Sequence, residues 1–158
     1  MEDKVVLITG ATGGIGTANA IRFLDEGASV FLTGRSPEKL DTLAKKLNKP
    51  AKIQSCVVEA IDEAAVERSI TQCLSKFGRV DSIIANAGTE GKVQALEEYS
   101  VEDFNRTLLV NVTGVWLYLK HGLKPMRDQK SGSFVAISSG AGSVGSRGCV
   151  PIQQVSMQ

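Results

Sequence analysis

Short apolar, β-branched runs alternate with segments of helical period along this chain, and few folds accommodate that rhythm. Lys4–Thr9 (KVVLIT) is the first run and stops at a glycine. Gly14–Glu26 follows as a helix, with Gly27 placed as its left-handed stop. Ser29–Thr33 reads as a second strand. Ser36-Pro37-Glu38 then reads as an N-cap, a proline at the first helical position and an acid in the first turn. Leu40, Leu43, Ala44 and Leu47 space one face of that helix. Lys52–Val58 predicts a third strand. Asp62 caps a helix with Val66, Ile70, Cys73, Leu74 and Phe77 on its buried stripe and Gly78 at its end. Val80–Ala85 predicts a fourth strand and Gly88–Gly91 a loop. Ser100 opens a long helix with Phe104, Leu108, Val112, Val115 and Leu119 as apolar positions, which Pro125 ends or kinks. Gly132–Ile137 predicts a fifth strand, and the sequence is Gly/Ser-rich from Ser138 onward.

Alternation of this kind specifies βαβ units: an α/β fold with a parallel, doubly wound sheet covered by helices on both faces. The strands are mostly apolar rather than alternating, as burial on both faces requires. At 158 residues the chain fits one domain with a real core. Its formal charge of +1 offers no electrostatic attraction to nucleic acid or to a membrane surface. No apolar run has the length of a membrane span, and the N-terminus lacks the pattern of a secretory signal. Cys56, Cys73 and Cys149 are widely spaced, fall in no metal or redox motif, and read as reduced thiols of a cytoplasmic protein.

The first strand runs into Thr9-Gly10-Ala11-Thr12-Gly13-Gly14-Ile15-Gly16 and then a helix. Glycines let the backbone turn sharply and approach a ligand closely. A helix N-terminus presents unpaired N–H groups and a positive dipole end, which suit a pyrophosphate. The spacing is not that of a P-loop, since no Gly-Lys-Ser/Thr follows. Thr9-Gly10-x-x-x-Gly14-Ile15-Gly16 resembles the cofactor fingerprint of the short-chain dehydrogenase/reductase family, classical type. Further matches follow in order: Val80-Asp81 opening the fourth strand, Asn86-Ala87-Gly88 after it, Asn111 within Val110-Asn111-Val112-Thr113-Gly114, and Ile137-Ser138-Ser139 at the end of the fifth. The resemblance spans residues 1–151 as a Rossmann-like, nicotinamide-dinucleotide-binding domain.

That resemblance implies a cofactor held by Gly10, Thr12, Gly14, Ile15, Gly16, Asn86, Ala87 and Gly88, with Arg35 and Glu59 nearby. The end of the second strand would face the adenosine ribose. It carries Thr33-Gly34-Arg35, with an arginine and no acid. A guanidinium binds phosphate in a bidentate way, so NADP(H) is expected over NAD(H). After the third strand the family usually shows Asp-Val, and this chain has Glu59-Ala60.

The family's chemistry is hydride transfer between the nicotinamide and a small carbonyl or secondary-alcohol substrate, and a homo-oligomer is expected of a full-length form. A tyrosine moves the proton, a lysine one helical turn later lowers its pKa, a serine binds the substrate oxygen, and an asparagine holds a water. Ser139 matches the serine and Asn111 the asparagine. Counted from Ser139, the tyrosine and lysine would stand at positions 152 and 156, which hold Ile152 and Ser156. Tyr99 and Tyr118 lack a lysine one turn on, and His121 reads as a solvated or dipole-favoured residue rather than a base. The chain thus reads as an incomplete dinucleotide-binding domain with a divergent tail at 152–158, lacking the family's last strands and helices. Two functions follow: an oxidoreductase whose present chain is inactive alone, or a non-catalytic nucleotide-binding or interaction module. Without a covering helix, strands four and five would show apolar surface to water on one side.

Overall fold

A computed structural model describes residues 1–140 as one parallel sheet wrapped by helices. The strands are β1 (Val5–Ile8), β2 (Ser29–Gly34), β3 (Ile53–Val57), β4 (Ser82–Ala85) and β5 (Ser133–Ala136), in the order β3-β2-β1-β4-β5. Between them run α1 (Gly14–Asp25), α2 (Pro37–Leu47), α3 (Glu63–Phe77), α4 (Val101–Leu108) and α5 (Gly114–Asp128). A π-helical turn, Leu109–Thr113, joins α4 to α5, and short 3₁₀ turns sit at Pro50–Lys52 and Leu96–Glu98. The order reverses between β1 and β4, which places a crevice at the carboxyl ends of those two strands.

Side chains alternate across a strand, so each central strand feeds two cores. Val5 and Leu7 of β1 join Phe31 and Ile83 beneath α3 and α5, where Val66, Ile70, Leu117 and Met126 pack. Val6 and Ile8 join Val30, Leu32 and Ile84 on the opposite face, beneath Ala20 and Leu24 of α1 and Leu40 and Leu43 of α2. Each such fully buried aliphatic side chain stabilises the fold by about 1.5–3 kcal/mol.

The helix boundaries follow the capping residues. Ser36, Asp62 and Ser100 each accept a hydrogen bond from a first-turn N–H of α2, α3 and α4. Gly27 and Gly78 take positive φ after α1 and α3, at +90° and +77°. Pro125 neither ends nor replaces the last turn: α5 continues to Asp128, and the Gln129 N–H donates to the Pro125 carbonyl at 2.9 Å. A proline this close to the end disturbs only one interior bond, that of the carbonyl four residues earlier.

Two expectations fail. The stripe of Phe104, Leu108, Val112, Val115 and Leu119 is half-buried or, at Val112, exposed. The buried face is instead Thr107, Val110, Gly114, Leu117, Tyr118, Gly122 and Met126. The helix lies too close to its neighbours for large side chains: a Cβ on Gly114 would stand 3.2 Å from the Ala60 Cβ, and one on Gly122 would collide with Ile83. Nor does β4 show an apolar face to water, since Ile83, Ile84 and Ala85 are buried between α5 and the α1 side. Of β4 and β5, only β5, an edge strand among the described residues, is exposed, at Val135 and then at Ile137 just beyond it.

Among the described residues no helix is long and apolar enough to cross a membrane, and no group of His, Cys, Asp or Glu is placed to hold a metal.

Candidate functional site

A cleft of about 570 Å³ opens at the carboxyl ends of β1, β2 and β4. Its walls come from the β1–α1 turn, the β2–α2 turn, the segments after β3 and β4, and α4. Nine of the sequence-predicted residues line it: Gly10, Thr12, Gly14, Ile15, Arg35, Glu59, Asn86, Ala87 and Gly88. Gly16, Asn111 and Ser139 do not.

The β1–α1 turn is built on glycine for two different reasons. Gly10 has φ +60°, and a Cβ there would lie 2.9 Å from the Ala87 Cα. A Cβ on Gly16 would meet backbone, so Gly16 packs under the turn instead of facing the cleft. Gly14 is the opposite case, with nothing within 4 Å of a Cβ built on it. No contact within the protein forbids a side chain at Gly14, although the residue faces the cleft.

The start of α1 differs from those of α2, α3 and α4. Its N-cap is Gly13, no side chain caps the first turn, and no acid stands in that turn. The other three have a side-chain cap and at least one acid in the first turn. The first N–H groups of α1 therefore present an uncompensated positive dipole end at the cleft.

Thr9 and Asn86 hold the crevice in shape. The Thr9 Oγ1 accepts hydrogen bonds from the Asn86 and Ala87 N–H groups at 2.9 and 2.8 Å. The Asn86 side-chain amide donates back to the Thr9 and Gly10 carbonyls at 3.0 and 3.2 Å. Asn86 thus lines the cleft while its amide is committed to the turn. Asn111 sits in the π-helical turn, and its side chain bonds both backbone groups of Thr89. It fixes the segment after β4 rather than facing the cleft.

Arg35 and Lys39 line the β2 side of the cleft, and neither makes an ion pair among the described residues. The sequence reading passed over Lys39. It stands three residues after the N-cap Ser36, and so on the same helical face as the residues opening the turn. Tyr118 was also missed as a lining residue. It reaches from α5 beneath the cleft to place its hydroxyl 3.1 Å from the Thr33 Oγ1. Burial pushes its phenol above the ordinary range, and the Thr33 and Ser69 hydroxyls offset that only in part. His121 is not a solvated residue: its Nε2 lies 2.9 Å from Glu63 Oε1, and Lys120 meets the same oxygen at 2.6 Å. That pair ties α5 to the start of α3.

Ser139 follows β5 at the same carboxyl edge of the sheet and is exposed. Positions 152 and 156, Cys149 and the 152–158 tail lie outside the described residues.

Comparison with known proteins agrees with this geometry. The sequence profile of the short chain dehydrogenase family matches residues 4–151. Levodione reductase of Leifsonia aquatica is 38% identical over 143 residues, covering 89% of this chain and 54% of that protein. A 3-oxoacyl-[acyl-carrier-protein] reductase, FabG, of Thermotoga maritima is 34% identical over 149 residues, covering 94% and 60%. The chain therefore spans a little over half the length of these relatives. The crystal structure of levodione reductase superposes with a TM-score of 0.94 at 34% identity, over 99% of this chain and 62% of that one. NAD⁺-bound xylitol dehydrogenase gives 0.94 at 30%, over 99% and 60%. Serine dehydrogenase complexed with NADP⁺ gives 0.89 at 27%, over 97% and 61%. With a Rossmann-like sheet, a glycine turn at its switch point and these relatives, the chain belongs to the short chain dehydrogenase family.

Proposed function

We propose that the cleft is an NADP(H) site and that residues 1–151 are the dinucleotide-binding part of an oxidoreductase acting on a small carbonyl or secondary alcohol. The observation that carries this reading is the start of α1: an uncapped, acid-free helix terminus facing a cleft beside Gly14, where a Cβ meets no protein atom. A pyrophosphate resting on those N–H groups would occupy the space a side chain at Gly14 would fill. The residues present fit such a cofactor. Thr12, Gly14 and Ile15 cradle its phosphates, Asn86 to Gly88 wall the crevice, and Glu59 stands at the adenine end.

Preference for the 2′-phosphorylated cofactor rests on Arg35 and Lys39, two cations without ion-pair partners among the described residues, and on the lack of an acid at the end of β2. Arg35 offers a bidentate fork and Lys39 a point charge, a combination suited to a phosphate monoester.

A nicotinamide held in this cleft would give a hydride to a carbonyl or take one from a secondary alcohol. Ser139 holds the substrate oxygen, and Asn111 acts by fixing the Thr89 segment beside it. Ile152 and Ser156 occupy the positions of the proton-transferring tyrosine and its lysine, and neither side chain titrates near neutral pH. By itself this chain binds cofactor and does not turn over. Segment 152–158 reads as a divergent tail. A homo-oligomeric assembly is supported by Leu109, Val112, Trp116 and Leu123, which are exposed along one side of the π-helical turn and α5. A cytoplasmic setting suits Cys56 and Cys73, both free thiols.

Titration of the chain and of Arg35→Ala with NADPH and NADH tests the cofactor assignment. NADPH is expected to bind more tightly, and Arg35→Ala to lose roughly tenfold for NADPH, about 1.4 kcal/mol, with NADH unchanged. Equal affinities in the unsubstituted chain would overturn the preference. Hydride transfer by this chain that disappears in Ser139→Ala would overturn the claim of inactivity.

A further inference from the structure

Arg106, in the last turn of α4, lines the cleft and is exposed. Its guanidinium makes no hydrogen bond or ion pair with the described residues, although its charge helps to lower the pKa of Asp103. Its helical neighbour Asp103 is the acid that would ordinarily hold it. That carboxylate is already taken, by Lys92 at 2.6 Å and by the Ser100 hydroxyl at 2.7 Å. The guanidinium is therefore left at the cleft mouth.

One turn on, Val110 lines the same cleft and is buried. Val58 and Ala60, which follow β3, are buried and line it too. Val58, Ala60 and Val110 give this part of the cleft buried apolar wall, Glu59 lines it between the first two, and Arg106 adds a planar cation at the exposed rim. Apolar walls accept a flat ring, and a guanidinium stacks on an aromatic face more effectively than an ammonium does. Arg35 and Lys39 stand on the β2 rim, so they are placed for phosphate while Arg106 approaches from the α4 wall.

We propose that Arg106 is a cofactor-holding residue that closes over the adenine ring from α4 by stacking its guanidinium on the base. This rests on reading the cleft as a nicotinamide-dinucleotide site.

The test is calorimetric titration of the full chain, Arg106→Ala and Arg106→Lys with NADPH, 5′-AMP and nicotinamide mononucleotide. Melting curves on each sample control for folding, which an exposed surface substitution should leave intact. Arg106→Ala is expected to weaken NADPH and 5′-AMP by roughly three- to tenfold. Nicotinamide mononucleotide, which carries a 5′-phosphate but no adenine, should lose less than 5′-AMP does. Arg106→Lys should recover under half of the loss. If Arg106→Ala binds 5′-AMP as the unsubstituted chain does, the inference falls and the cleft reading stands. If lysine restores full affinity, or both mononucleotides lose equally, a charge contact replaces stacking and the inference falls. If the unsubstituted chain binds none of the three probes, the cleft reading falls and takes the inference with it.

Discussion

Asn111 and Thr89 are joined by two hydrogen bonds of 2.8 Å each: the Asn111 Oδ1 accepts from the Thr89 N–H, and its Nδ2 donates to the Thr89 carbonyl. A side-chain amide here does the work of a strand partner. It pins the segment after β4 to the π-helical turn between α4 and α5. Asn111→Ala should leave both Thr89 backbone groups without their partners, at a cost of about 1–3 kcal/mol. Chemical denaturation reads this as a lowered midpoint with unchanged slope. An unchanged midpoint would show that the clamp is dispensable.

The β1–α1 turn separates glycines needed for folding from one needed for a ligand. At Gly16 a Cβ would lie 2.8 Å from the Ala11 Cα and nearer still to the Gly10 carbonyl. Both are backbone atoms, so Gly16→Ala should destabilise by about 1–3 kcal/mol. Gly14→Ala meets nothing, and alanine is the better helix former by ~1 kcal/mol. It should melt no lower than the unsubstituted chain, yet bind NADPH about tenfold or more weakly, ~1.4 kcal/mol. Comparable melting losses in both variants would contradict the distinction.

How much of this was legible beforehand depends on the physics of each feature. Strand and helix order was readable because β-branched runs, Ser36, Asp62, Ser100, Gly27 and Gly78 act locally. The glycine turn was readable because its demands are steric. The buried face of α4 and α5 was not, because Gly114, Gly122 and Thr107 are buried for being small, and a count of apolar residues selects Val112 instead. Lys39 and Arg106 carried no motif; only the fold brings them to one cleft. Asn86 and Asn111 were singled out as residues, but their hydrogen bonds to Thr9, Gly10 and Thr89 join positions far apart in sequence.

Asp81 organises the opposite end of the sheet. Its buried carboxylate accepts from the Val5 N–H at 2.9 Å, from Lys4 at 3.1 Å, and from Arg79 at 2.6 and 2.7 Å. Burial pushes its pKa up, but these donors outweigh burial and hold it below the ordinary carboxylate value. A depressed folded-state pKa stabilises above the unfolded value and is lost as pH falls through the folded one. Asp81→Asn should therefore lower stability near neutral pH by about 1–3 kcal/mol. It should also flatten the decline in melting temperature below about pH 4. An identical acid limb in the variant would exclude Asp81 as a contributor.

Cys73 is buried between α3 and the sheet, and burial pushes its thiol up to about 12. The thiolate is the reactive form, so Cys73 should resist alkylation at pH 8 until the chain unfolds. Cys56 is only half-buried and should label first of the two. Mass mapping after brief iodoacetamide treatment reads this directly. Labelling of Cys73 on a folded sample, at the rate seen in denaturant, would contradict the packing described for α3.

The central claim is that the uncapped start of α1 and the cleft beside it hold a nicotinamide dinucleotide. Titration of the chain with NADPH, followed by nucleotide fluorescence on a sample with a cooperative melting transition, tests it most directly. The account predicts a saturable signal at one site per chain, competed by adenosine 2′,5′-bisphosphate and abolished in Gly14→Val. No saturable signal from the folded chain, or saturation undiminished by Gly14→Val, would contradict it.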